Sequence, residues 1–114
     1  MSLYEYKAIV LRIVDGDTVD MNVDLGFDTW RKDRFRLARI NAPERHAPGG
    51  PEATAHLAQL LPIGTVVTLT TRKDRADKYG RMLAEIFVPP ATPGQQALDV
   101  NQNMLDTGHA VVYP

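Results

Sequence analysis

The chain has 114 residues, 44% hydrophobic and 24% charged, which is enough for one domain around one core but not two. A net charge of −1 excludes the overall basic excess of a strong non-specific nucleic-acid binder, and the absence of cysteine excludes disulfides and thiolate metal sites. No apolar run reaches membrane-spanning length and no secretory leader opens the chain, so a membrane-free monomer is expected, cytoplasmic unless the chain has been trimmed.

Residues 4–14 (YEYKAIVLRIV) carry apolar side chains on both faces, Tyr4, Tyr6, Ala8 and Val10 against Ile9, Leu11 and Ile13. This predicts a long strand covered on both sides, as in a barrel. Asp15-Gly16-Asp17-Thr18 follows as a tight turn, since Asp-Gly is a strong hairpin signal. Val19, Met21, Val23 and Leu25 then alternate with polar neighbours, a half-buried second strand paired with the first. A loop over 26–32 holds the single tryptophan, Trp30. A third strand over 33–40 is expected to place Phe35, Leu37 and Arg39 on one face and Arg36, Ala38 and Ile40 on the other.

Asn41 breaks that alternation, and Pro43 biases Ala42 toward extended geometry. After a Pro/Gly loop over 45–50, Pro51 and Glu52 open a helix, where a missing N–H costs nothing and an acid meets the positive end of the dipole. Ala53, Leu57, Leu60 and Leu61 form one apolar stripe, which Pro62 and Gly64 end. A β-branched strand over 65–71, a charged loop over 72–81 and a fifth strand over 82–88 come next. Beyond a polar turn, Asp99 and Gln102 stand at capping-box spacing, Val100, Met104 and Leu105 are apolar, and Gly108 is the stop of a second helix. Three strands, a helix, two strands and a helix predict an all-β core with two helices: a five-stranded antiparallel OB-fold β-barrel, one domain over 1–114.

Six of the 13 lysines and arginines fall in 31–45 and five in 72–81. They make a basic patch on a neutral body if the fold unites them, and two solvated loops otherwise. In a small barrel the turn after the first strand and the end of the third share a rim, bringing Asp17 toward Asn41 and the Ala42 carbonyl. Such a set of hard oxygens suits Ca2+ or Mg2+, although turn chemistry alone accounts for Asp15 and Asp17. Arg36 and Arg81 are placed to clamp a phosphate, with Glu44 near enough to take a proton from water; the alternative is surface side chains or structural ion pairs. His46, His56 and His109 lack zinc-ligand spacing and are expected to be surface or structural.

DGDT (15–18), FRLARINAPE (35–44) and DKYGR (77–81), in this order, resemble the staphylococcal nuclease-like, or thermonuclease, family. The resemblance runs from about Lys7 to Val112 and includes the Pro-Glu-Ala start of the first helix. It implies the OB barrel and a Ca2+-dependent phosphodiesterase cutting DNA and RNA. By match, Asp17 is the metal carboxylate, with Asn41 and the Ala42 carbonyl completing the metal set. Arg36 and Arg81 match the phosphate arginines, Glu44 the general base, and Lys78 and Tyr79 the residues that hold a terminal phosphate and sugar. Asn41 departs from a second metal-binding aspartate, and Ala42 from a threonine whose backbone oxygen is the ligand. The 45–50 loop is shorter than the lysine-bearing loop of the secreted members. No third helix precedes Pro114, and Tyr113 falls one residue off the register of a base-stacking tyrosine.

The expectation is a metal-dependent nuclease acting on single-stranded DNA or RNA, using Ca2+ with Mg2+ as the alternative, its metal affinity weakened by Asn41. The competing expectation is a non-catalytic nucleic-acid-binding module on the same barrel, which has no need to keep Arg36, Glu44 and Arg81 together. As rim positions, these three are expected to tolerate substitution without loss of folding.

Overall fold

A computed structural model describes residues 4–71 and 80–113. In chain order the elements are β1 (Tyr4–Asp15), β2 (Thr18–Asp24), β3 (Trp30–Leu37), β4 (Ile40–Asn41), α1 (Gly50–Leu60), β5 (Val66–Thr71), β6 (Met82–Val88), β7 (Leu98–Asp99), α2 (Val100–Asp106) and β8 (Val111–Val112). β1 is the hub. It pairs antiparallel with β2, from Lys7↔Asp24 to Asp15↔Thr18, and with β5, from Tyr4↔Thr71 to Ile9↔Val66. Register shifts between Val10 and Arg12 and between Ile13 and Asp15 bend the strand, as bulges do, so that one strand serves two parts of a closed sheet.

β3 continues antiparallel from β2 and β6 from β5, and the barrel closes where β3 meets β6 through Phe35↔Met82, Arg36↔Leu83 and Leu37↔Ala84. The closing pair is parallel, so the five-stranded barrel is mixed and not wholly antiparallel as expected. The reason is geometric. β3 and β6 each lie two antiparallel steps from β1, so both run in its direction.

The core is filled by Val10, Val19, Met21, Leu37, Leu69 and Ile86 from the barrel, Leu57 and Leu61 from the first helical segment, and Val100 and Met104 from α2, all fully buried. The apolar stripe of the first helix thus seats as its spacing predicts. Asp99 caps α2, its carboxylate accepting the Gln102 amide at 3.1 Å.

β3 differs from expectation at both ends. It starts at Trp30, inside the expected loop, because cross-strand pairing with Asp24, Val23 and Asn22 proceeds whatever the polarity of the exposed side chains. It stops at Leu37: Arg39 takes a left-handed conformation (φ 70°), and the chain turns to start β4. The alternation expected through Ile40 therefore ends at Leu37, and Ile40 and Asn41 instead pair with Val112 and Val111 of β8. Arg39 is held in this unfavourable region by an ion pair to Glu85 at 2.7 Å and by its carbonyl, which accepts the Tyr113 amide at 2.8 Å.

Candidate active site

Gly16 brings the β1–β2 turn into the site. A β-carbon there would lie 2.8 Å from the Ala53 Cβ and 2.9 Å from the Ala42 Cβ, so only glycine lets this turn wedge between α1 and the segment after β4. The next residue, Asp17, is 6% exposed, and its Oδ2 accepts the Ala42 amide at 2.9 Å while its carbonyl accepts the Leu37 amide at 2.8 Å. Its Oδ1 accepts the Thr18 hydroxyl at 3.1 Å, and the Thr18 oxygen in turn accepts a guanidinium N–H of Arg81 at 3.0 Å. Thr18 pairs across the sheet with Arg36, whose guanidinium donates to the Asn41 Oδ1 at 3.1 Å and lies 3.6 Å from the Asp17 Oδ2. The Tyr113 ring covers the other side of Arg36, with the guanidinium carbon 4.7 Å from the ring centroid.

The structure therefore brings Asp17, Arg36, Asn41, Ala42 and Arg81 into one cluster at the rim, as the strand order predicts. Arg36 was expected to be a rim residue that folding could spare. It is instead 6% exposed, because Asn41, Asp17 and Tyr113 close over a strand end that sequence alternation leaves open.

Burial pushes the Asp17 carboxyl above its ordinary value. The Ala42 amide pulls it back, while the neighbouring Asp15 carboxylate raises it further and Arg36 lowers it. A desolvated carboxylate with a second one beside it is a favourable place for a cation. The oxygens available, from Asp17, Asn41 and the Ala42 backbone, are the hard donors that Ca2+ and Mg2+ take. The fit in donor type is good and the fit in charge is poor. The set holds one carboxylate among cationic Arg36 and Arg81, and among the described residues no cluster of three acidic or histidine side chains forms.

Comparison with known proteins decides the family. The profile of staphylococcal nuclease homologues matches residues 34–114. The chain belongs to the staphylococcal nuclease family. It is 34% identical over 111 residues to the micrococcal nuclease of Shigella flexneri, across 96% of this chain and 59% of that protein. It is 35% identical over 104 residues to an uncharacterized endonuclease of Escherichia coli O157:H7, across 91% and 59% respectively. With the endonuclease YhcR of Bacillus subtilis it shares 28% over 120 residues, 96% of this chain but 9% of the relative. The chain thus spans less than two thirds of these relatives.

Within this staphylococcal nuclease barrel, Glu44 is the site candidate that stands apart. It lies in the turn after Pro43, three residues beyond Asn41, its side chain exposed and without a hydrogen bond or ion pair among the described residues. Its backbone is well held: the carbonyl accepts the Ala47 amide at 2.9 Å, and α1 begins so close above it that a β-carbon on Gly50 would overlap that oxygen. Lys78 and Tyr79 lie outside the described residues.

Of the two basic stretches, the second lies, apart from Arg81, outside the described residues, and most arginines of the first are paired. Arg31, Arg34, Arg36 and Arg39 are each paired with a carboxylate. Of the histidines, His56 and His109 stack at 4.4 Å and bridge α1 to the turn after α2, the structural role expected of them.

Two residues have positioning roles that the sequence reading did not assign. Tyr113, noted there only for lying one residue off a base-stacking register, instead covers Arg36. Asn101 is fully buried, its Oδ1 accepting the Ile86 amide at 3.1 Å and its Nδ2 donating to the Ala38 and Ala84 carbonyls at 3.0 and 3.1 Å. An asparagine on the apolar side of a helix was the available signal.

Proposed function

We propose that this domain hydrolyses phosphodiester bonds in single-stranded DNA or RNA. The observation that carries the proposal is the placing of two guanidiniums around Asp17, the one carboxylate buried among the described residues: Arg36 beside it and Arg81 through the Thr18 hydroxyl, at the rim where Glu44 emerges. Family membership supports it, and so do the nucleases among the relatives the chain resembles.

In this proposal Arg36 and Arg81 bind the non-bridging oxygens of the phosphate and hold the charge that grows on them. Arg36 keeps part of its fork on Asn41 and Asp17, which fixes its orientation and leaves its remaining N–H groups for substrate. Glu44 accepts the proton of the attacking water, and its exposure leaves it accessible to that water. Lys78 and Tyr79 hold the terminal phosphate and sugar. Asp17, Asn41 and the Ala42 carbonyl are the residues that would hold a Ca2+ or Mg2+ ion, which when bound supplies Lewis-acid polarisation of the phosphate and of the water. Asn41 provides no charge where a carboxylate would, so binding is weak and activity needs abundant metal.

The one-carboxylate set also supports a second proposal, a barrel that binds nucleic acid without cutting it. Incubating the protein with single-stranded DNA and RNA, in Ca2+, Mg2+ or EDTA, separates the two. Hydrolysis predicts fragments that need metal and disappear in Glu44→Gln. Binding without any fragment at high Ca2+ favours the second proposal.

A further inference from the structure

Beside the candidate active site lies an open groove of about 680 Å3 between β1 and α1, walled by Arg12, Ile13, Arg45, His46, Thr54 and Ile63 among others. Its charge is one-sided, since among the described residues no carboxylate lines it. Arg12 faces Asp20 across the β1–β2 register, but Arg34 takes that carboxylate through bonds of 2.8 and 3.2 Å. Arg12 and Arg45 consequently form no ion pair among the described residues, whereas Arg31, Arg34, Arg36 and Arg39 all do.

The floor is apolar and Ile63 remains 76% exposed there. In the wall, the Thr54 hydroxyl is buried without a hydrogen-bond partner, an unusual state for a buried polar group. Two residues of its wall, Arg45 and His46, directly follow Glu44 in the chain, and the close seating of Gly50 on the Glu44 carbonyl folds their loop against α1.

Cations at a rim and an apolar floor match the chemistry of a single nucleic-acid strand, with phosphates outside and splayed bases within. We propose that this groove is a second subsite, which holds the nucleotides flanking the scissile phosphodiester. Arg12 and Arg45 take the phosphates, and a base lies on Ile13 and Ile63. The proposal rests on nucleic acid being the substrate of the neighbouring site. A duplex keeps its bases stacked and has nothing to place on the floor.

The test is fluorescence anisotropy of a labelled oligothymidylate, long enough to span both sites, titrated in EDTA at several salt concentrations. Removing two phosphate contacts from a single-strand binder lowers the slope of log K against log salt by about 1.4. Arg12→Ala/Arg45→Ala is expected to show that fall and at least a tenfold loss of affinity at low salt. Arg31→Ala, which removes an exposed but paired arginine, is expected to change neither quantity. Parent-like affinity and slope in the double variant overturn the subsite.

Cleavage in Ca2+ separates this result from the hydrolytic proposal. A parent that binds through the groove but never cuts retains the subsite and loses hydrolysis. A parent that cuts, with a double variant that binds and cuts long strands equally well, retains hydrolysis and loses the subsite. No binding by the parent at all removes both.

Discussion

Arg36 carries two duties that its neighbours impose. Its guanidinium balances the buried Asp17 carboxylate and is itself fixed by Asn41 and Tyr113. Arg36→Ala is expected to lower turnover by roughly 100-fold or more, as the loss of one preorganised donor does. It is also expected to cost about 3 kcal/mol of stability, because a buried carboxylate is left without its cation. Arg36→Lys restores the charge but not the planar fork, so it should recover much of the stability and little of the activity. Urea unfolding and cleavage rates, measured together on the two variants, decide this. An alanine variant as stable as the parent would contradict the role given to the ion pair. Tyr113→Ala, by contrast, removes a cation–π contact worth about 0.5–2 kcal/mol and should lower activity through a loosened Arg36, with Tyr113→Phe close to the parent.

At the scale of elements, the site depends on how the chain leaves β3. The sequence FRLARINAPE reveals a strand, a break and an accessible carboxylate, and the hairpin at Asp15-Gly16, the stripe of α1, the Asp99 cap and β6 were all readable from spacing. What was not readable depends on contacts between distant segments. The left-handed Arg39 is stabilised by Glu85 and Tyr113, 46 and 74 positions away, and no local propensity reports such partners. Asn101 is similar. Its amide joins α2 to the Ala38 turn and to β6, so α2 acts as a strap that fixes both the exit of β3 and the barrel's closing seam. Asn101→Ala leaves the buried Ile86 amide and Ala38 carbonyl without this partner; the Ala84 carbonyl still accepts the Ala38 amide at 2.9 Å. The expected cost is about 3 kcal/mol, from two orphaned groups and lost bonds. Denaturant titration checks it, and a loss below about 0.5 kcal/mol would show that the network is dispensable. Gly16→Ala works on the same element from the other side. Its Cβ meets two other β-carbons that have no rotamer to yield, so overpacking of about 1–3 kcal/mol is expected.

Across the whole molecule, the proposed metal site would link metal binding to folding, with Asn41 setting the strength of the link. A cation that binds the native rim and not the unfolded chain stabilises the protein by mass action, increasingly as its concentration exceeds the dissociation constant. With one carboxylate in the set and two guanidiniums beside it, the parent should gain little from millimolar Ca2+. Asn41→Asp adds a formal charge to the ligand set. In a partly open site this is worth on the order of 1–3 kcal/mol, or roughly 10- to 100-fold in affinity. The new carboxylate also offers Arg36 a stronger partner, which changes the metal-free protein as well. The informative quantity is therefore the difference in melting temperature between Ca2+ and EDTA for each protein, not the melting temperature itself. For a domain of this size that difference should grow by several degrees in Asn41→Asp, at about 4 °C or more for each kcal/mol gained. Calorimetric titration should show the matching drop in dissociation constant. If Asn41 serves only to orient Arg36, the Ca2+-dependent shift stays the same in both proteins, and the metal set must be sought without it.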